Sequence, residues 1–174
     1  MYLIWSERGE GAADTQAEAA TPAISGKTRG DVNLNSSAHA ILQAVFGVGL
    51  LSFVMFFWMS LTRLPAMRRA GLTLADAAHT EDLRPRLDAA GRRAGDNYNH
   101  LFEAPVVFYA VGLAIVFAGL ADPLFAAAAW VFLAARSMHS LVQATVNRVP
   151  IRLTFYLISW TALGFMIVRG LLKL

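Results

Sequence analysis

The segment from Ala38 to Thr62, AHAILQAVFGVGLLSFVMFFWMSLT, contains no Asp, Glu, Lys or Arg. A helix needs about 20 mostly apolar residues to cross the hydrocarbon core of a bilayer, and this segment is long enough. In lipid, a single apolar segment satisfies its backbone hydrogen bonds only as a helix. The segment therefore predicts a transmembrane helix, with Trp58 as an interfacial anchor near its end.

Three further apolar segments follow, and the whole chain is 56% hydrophobic and 16% charged, whereas soluble domains carry about 25% charged residues. We therefore predict an all-α integral membrane protein, a multi-pass four-helix bundle formed by residues 38–174. Its small residues suit close helix packing. The predicted spans are 38–62, 97–120, 123–147 and 151–172.

Two polar segments flank the first span. Residues 1–37 lack hydrophobic periodicity, which predicts a mobile tail, and residues 63–96 form an arginine-rich loop. The positive-inside rule places that loop in the cytoplasm and both termini outside, and in a bacterium the membrane would be the plasma or inner membrane. The net charge is +3. The basic residues lie in loops that flank apolar segments, which favours a role in membrane topology over nucleic-acid binding.

Cysteine is absent, which excludes disulfides, thiolate nucleophiles and zinc-thiolate sites. The histidines show no metal-ligand spacing and no HExxH motif occurs, so we expect no metal. Any thiol chemistry must use a thiol that a substrate brings.

The third span carries a polar stripe. Arg136, His139, Ser140, Gln143 and Asn147 are spaced at i, i+3, i+4, i+7 and i+11, which places them on one face of a helix. An arginine at the centre of a bilayer costs about 2.5 to 3.5 kcal/mol. This face is therefore predicted to pack against other helices and not against lipid.

The second span offers partners for the stripe, because Asn99 and Glu103 lie four residues apart. One explanation is an ion pair between Glu103 and Arg136 that fixes helix packing. The other is a polar cavity for a charged ligand. The number of further polar side chains near the same end, Arg152 among them, favours the cavity.

The motifs RSMH, VPIR and FY, which contain Arg136, His139, Arg152 and Tyr156, resemble the MAPEG superfamily of membrane-associated proteins in eicosanoid and glutathione metabolism. They are most similar to its prostaglandin synthase branch. The segment RRAGDNYNHLFEAP is similar to the family's Arg-Ala-x-x-Asn segment, which a glutamate and a proline follow. The resemblance covers residues 38–172.

This resemblance implies a homotrimer that binds glutathione as co-substrate between subunits and takes a lipophilic small molecule from membrane lipid. Arg152 is similar to the arginine that stabilises the glutathione thiolate. Gln143 stands where the prostaglandin synthase branch has a tyrosine, and Asn99 precedes Glu103 by four residues where members usually show three. Residues similar to those that hold the tripeptide are Arg93, Asn99, Glu103, Arg136, His139, Gln143 and Tyr156.

The chemistry of these residue types agrees with that reading, because a nearby cation makes a thiol a better nucleophile at neutral pH. The predicted function is a glutathione transferase or peroxidase acting on lipophilic electrophiles or lipid hydroperoxides. The alternative is a non-catalytic member that binds lipid or a partner protein. A transporter subunit is disfavoured, because the outer halves of the second and third spans are apolar.

Overall fold

The computed structural model describes residues 34–73, 75–78 and 80–174. Four stretches of this part, namely α1, α3 with α4, α5 and α6, are long and apolar enough to cross a membrane. The prediction of an all-α integral membrane four-helix protein is confirmed. The elements are α1 (Ser36–Arg69), α2 (Thr80–Leu83), α3 (Ala89–His100), α4 (Ala104–Phe117), α5 (Pro123–Ala144) and α6 (Val149–Lys173), with 3-10 turns at Ala75–Ala78 and Arg84–Arg86.

The helix boundaries differ from the predicted spans because helices continue outside the apolar segments. Helix α1 runs on to Arg69, and α3 begins at Ala89 inside the predicted loop 63–96. The Asp88 side chain caps α3 by accepting from the Gly91 N–H at 2.8 Å, a role that Asp favours. Helix α5 ends at Ala144, before the predicted 147. Of the predicted tail, residues 1–33 lie outside the described residues, and α1 begins at Ser36.

The second span is broken between α3 and α4, at residues 101–103. Pro105 lies in the first turn of α4. A proline has no N–H to donate and its ring clashes with the carbonyl four residues earlier, which favours a kink or a break. The second span is broken here, whereas α1 continues through Pro65. The break follows His100 directly, and it leaves the last carbonyl groups of α3 without their usual helical donors.

The apolar core lies between α1, α4, α5 and α6. The rings of Phe108 and Phe132 stack there at 4.2 Å between centroids, and both side chains are fully buried. Helices α1 and α5 approach closely at Gly47, where an added Cβ would lie 2.6 Å from Leu133 Cδ2. Large apolar side chains outside this core are exposed over most of the helix surfaces, as a lipid environment allows: Phe46, Leu50, Phe53, Leu61, Phe117, Leu157 and Val168.

One end of the bundle is held together by Asp122. Its carboxylate caps α5 by accepting from the Leu124 and Phe125 N–H groups, each at 3.0 Å. It also pairs with Arg169 at 2.7 Å and with Lys173 at 2.6 Å, both from the last turns of α6. We call this the Asp122 end. The opposite end, which holds Arg63, Arg84, Arg92 and Arg152, is called the arginine-rich end.

Candidate functional site

A polar cavity of about 310 Å³ lies at the arginine-rich end, which is within the size range of ligand pockets. The helix break, α5 and the first turn of α6 all contribute to its wall. Every lining side chain is polar or charged: Arg84, Asp96, Asn99, His100, Glu103, Gln143 and Arg152. We call it the polar cavity. Four of the predicted site residues, Asn99, Glu103, Gln143 and Arg152, therefore lie together.

Arg152 is positioned by the turn between α5 and α6. Asn147 adopts φ of +50° there, a left-handed conformation that asparagine tolerates better than most residues. Its N–H donates to the Val142 carbonyl at 2.7 Å, closing the end of α5. Arg152 Nη1 donates to Asn147 Oδ1 at 2.9 Å. Because a guanidinium has five N–H donors, Arg152 keeps donors for a ligand.

Arg136 lies beneath the polar cavity, fully buried, and its Nη2 donates to the His100 carbonyl. The helix break frees that carbonyl, and a cation at the C-terminus of a helix also complements the helix dipole. The alternative of an ion pair between Glu103 and Arg136 is wrong. Among the described residues, Glu103 instead pairs with the ring of His100, with 3.0 Å between Oε1 and Nδ1. Arg136 is thus the capping group of α3.

His139 lies between the buried Arg136 and the wall of the polar cavity, where it contacts Gln143. It is 5% exposed, and its Nδ1–H donates to the Arg152 carbonyl at 2.8 Å. Its Nε2 lies 2.9 Å from Gln143 Oε1. A charged imidazole donates to that oxygen, whereas a neutral ring with its proton on Nδ1 requires the amide to turn and donate its NH₂. The protonation state of His139 therefore determines whether the amide oxygen or the NH₂ group of Gln143 bonds to the imidazole, and the other group faces the polar cavity.

The match that decides the family covers most of the membrane domain: the MAPEG family model matches residues 41–172. The chain belongs to the MAPEG family. Comparison with curated proteins and comparison with solved structures gave no match. Membership makes this an integral multi-pass membrane protein of a glutathione- and eicosanoid-related kind, in agreement with the resemblance found in the motifs around Arg136 and Arg152.

The other predicted residues of this MAPEG protein lie outside the cavity wall. Tyr156 packs on His139, with 5.8 Å between ring centroids, and its ring lies 5.7 Å from Arg136 Cζ, within the range of a cation–π contact. Arg93 lies on α3, half-buried and not among the residues that line the polar cavity. Tyr156 therefore packs against the buried side chains of Arg136 and His139.

Sequence reasoning missed Arg84, Asp96 and His100 as lining residues, and Asn97 as a buried one. Asp96 and His100 lie four residues apart on α3, which is a signal that the sequence did contain. Asn97 is fully buried, and in the described part of the chain neither of its amide atoms has a hydrogen-bond partner. Because buried polar groups are nearly always hydrogen-bonded, Asn97 has unused bonding capacity on the buried face of α3.

An apolar groove of about 540 Å³ runs along α5 and α6. Thr154, which lines it, lies two residues after Arg152, and on a helix such residues point in nearly opposite directions. The groove is therefore separate from the polar cavity within one protomer. It is lined by Leu124, Ala127, Ala128, Val131, Thr154, Leu157, Ile158, Thr161, Ala162 and Phe165.

Proposed function

We propose that this MAPEG protein is a glutathione-dependent membrane enzyme. It joins the glutathione thiolate to a lipophilic electrophile, or it reduces a lipid hydroperoxide. The observation that supports this function is the polar cavity, because one wall combines two arginines, Glu103 and two side-chain amides. Glutathione carries two carboxylates, a free amine and a thiol, and each finds a complementary group there.

The charges of the cavity can be matched to the tripeptide. A carboxylate accepts two parallel hydrogen bonds from a guanidinium, a role available to Arg84, whose side chain is 61% exposed and paired with Asp96. Glu103, which is half-exposed, suits the free amine. Arg152 then faces the thiol, where its positive charge favours the thiolate form. The amides of Asn99 and Gln143 supply further hydrogen bonds.

The thiol proton needs an acceptor, and His100 is placed to serve. Its Nδ1 is held by Glu103, an arrangement that orients a histidine for proton transfer. The proton passes from sulfur to His100, a carbon–sulfur bond forms, and a leaving group departs with its electron pair. In the peroxidase reaction two glutathiones are oxidised to their disulfide, while the hydroperoxide becomes an alcohol and water.

We further propose that the enzyme is a homotrimer with glutathione between its subunits, and that it takes its lipophilic substrate from membrane lipid. The support is family membership together with the exposed apolar surfaces of the helices. In a bacterium its place would be the plasma or inner membrane. The mass of the detergent-solubilised protein by native mass spectrometry tests the trimer.

The test of the function replaces Arg152 with alanine. The wild type in detergent should bind glutathione by calorimetry and conjugate it to a broad electrophile, whereas Arg152→Ala should lose conjugation and keep its fold. The matched control is Arg148→Ala, which removes an exposed arginine four residues earlier that does not line the polar cavity. Activity should survive there.

The second candidate function is non-catalytic binding of lipid or of a partner protein. The apolar groove along α5 and α6 favours it, because an acyl chain fits such a groove without approaching Arg152. A wild type that binds no glutathione at millimolar concentration would replace the enzyme function with this one.

A further inference from the structure

One buried ring bonds to both residues that α5 and α6 contribute to the wall of the polar cavity. The Nδ1–H of His139 donates to the Arg152 carbonyl at 2.8 Å, and Nε2 lies 2.9 Å from Gln143 Oε1. Arg152 and Gln143 line the polar cavity, whereas His139 lies behind them and is 5% exposed. His139 therefore acts on a bound ligand through these two residues, and the proposed function does not use its proton.

The amide of Gln143 has two orientations of nearly the same shape. The Arg152 carbonyl is an acceptor, so Nδ1 of His139 keeps its proton in both charge states. A neutral ring then has no proton on Nε2, so Gln143 donates its NH₂ group to that nitrogen and its oxygen faces the polar cavity. A charged ring donates from Nε2 to Oε1, and the NH₂ group faces the cavity. Protonation of His139 thus changes Gln143 from an acceptor to a donor toward a ligand.

The groups around the ring offer its positive charge no partner. On the α1 side, the segment 38–62 contains no Asp, Glu, Lys or Arg. Glu103 pairs with His100 at 3.0 Å, and among the described residues no carboxylate lies within ion-pairing distance of His139. A stabilising anion must therefore act from the polar cavity, through Gln143. The titratable or charged residues around the ring are His100 on α3, Arg136 on α5, and Arg152 and Tyr156 on α6.

We propose that His139 is a positioning residue for the sulfur of glutathione, an inference that rests on the proposed function, in which Arg152 faces the thiol. An uncharged thiol donates its S–H to the Gln143 oxygen, the arrangement that a neutral ring requires. A thiolate accepts from the NH₂ group instead. Ionisation of the sulfur therefore favours the charged ring, and His139 takes a proton from solvent as the anion forms.

Two ligands of the wild-type protein in detergent test this step. Glutathione sulfonate carries a permanent negative charge in place of the thiol, whereas S-methylglutathione is uncharged there, and their other ionisable groups are the same. A histidine with the ordinary pKa of about 6.5 is mostly neutral at about pH 8. Calorimetry at that pH, in two buffers of different ionisation enthalpy, should show that the sulfonate takes up as much as about one proton more than S-methylglutathione. Equal uptake would overturn the proposal.

The affinities give a second measure in the same protein. A single linked proton changes an affinity by about tenfold per pH unit. The dissociation constant of the sulfonate, divided by that of S-methylglutathione, should therefore rise by as much as about tenfold from about pH 7.5 to about pH 8.5. A ratio that does not change with pH would contradict the role of His139. Failure of both ligands to bind would instead refute the proposed function itself.

Variants identify the group that takes the proton. His139→Asn keeps a polar side chain that does not titrate, and Gln143→Met removes the amide while leaving His139 in place. Both should still bind S-methylglutathione, which shows that the site is intact, and both should lose the additional uptake with the sulfonate. His100→Gln is the matched control, because His100 is the histidine beside His139, and it should keep the additional uptake. Additional uptake that persists in His139→Asn or Gln143→Met, or disappears in His100→Gln alone, would overturn the proposal.

Discussion

Asp122 combines two stabilising roles that substitution can separate. Its carboxylate caps α5 and pairs with Arg169 and Lys173. Asparagine caps helices about as well as aspartate, but it has no charge for the ion pairs. Asp122→Asn therefore removes the ion pairs alone, whereas Asp122→Ala removes both contributions.

The magnitudes follow from these contacts. Loss of an N-cap costs about 1 kcal/mol. The Arg169 and Lys173 side chains are 28% and 38% exposed, so solvent screens both pairs and each contributes about 0.2–1 kcal/mol. We expect Asp122→Asn to lower the free energy of unfolding by about 1 kcal/mol and Asp122→Ala by about 2 kcal/mol. Unfolding by SDS in mixed micelles, followed by circular dichroism, measures both.

The pH dependence gives an independent check. Hydrogen bonds from Arg169 and then Lys173 hold the pKa of Asp122 well below its usual range. A depressed folded-state pKa stabilises the protein at pH values above the unfolded pKa of about 3.9, and this contribution is lost as the pH falls below that value. The difference between wild type and Asp122→Asn should therefore shrink below about pH 4. A difference that stays constant down to pH 2, or an Asp122→Ala variant as stable as wild type, would refute the reasoning.

Two further substitutions test packing at buried positions. Arg136→Met should lower the free energy of unfolding by about 1–3 kcal/mol, because it leaves the half-buried His100 carbonyl without its charged donor. Unchanged stability in SDS titration would show that the carbonyl has another partner. Gly47→Leu should cost about 1–3 kcal/mol by overpacking against Leu133, whereas Gly49→Leu, with open space around its Cβ position, should be near neutral. Thermal unfolding compares the two glycine variants, and an equal loss in both would contradict the close approach of α1 and α5.

The transmembrane architecture could be predicted because the length and apolarity of each segment are local properties. The interruption of the second span was also present in the sequence, since Pro105 lies within the predicted 97–120. The beginning of α3 was missed because that helix is polar and is recognised by its cap at Asp88 and not by hydrophobicity. Hydropathy thus locates the membrane-crossing part of a helix more reliably than its full length.

Only part of the candidate site could be predicted from the sequence. Arg136, His139 and Gln143 could be predicted because all three lie on α5, where their spacing alone places them on one face of the helix. Arg84 reaches the polar cavity from a separate turn, and no local pattern connects it to Arg152. The less favoured alternative, an ion pair between Glu103 and Arg136, could not be tested from the sequence. At the helix break Arg136 donates to the His100 carbonyl, and Glu103 pairs with the His100 ring.

The break after α3 also bears on how such a chain tolerates insertions. In a continuous helix, one extra residue between Asn99 and Glu103 would rotate everything beyond it by about 100°. Here Asn99 belongs to α3, while Glu103 lies after the helix has ended. The four-residue spacing, compared with the three usual in MAPEG members, therefore falls where the backbone can absorb a residue. Both side chains still line one cavity.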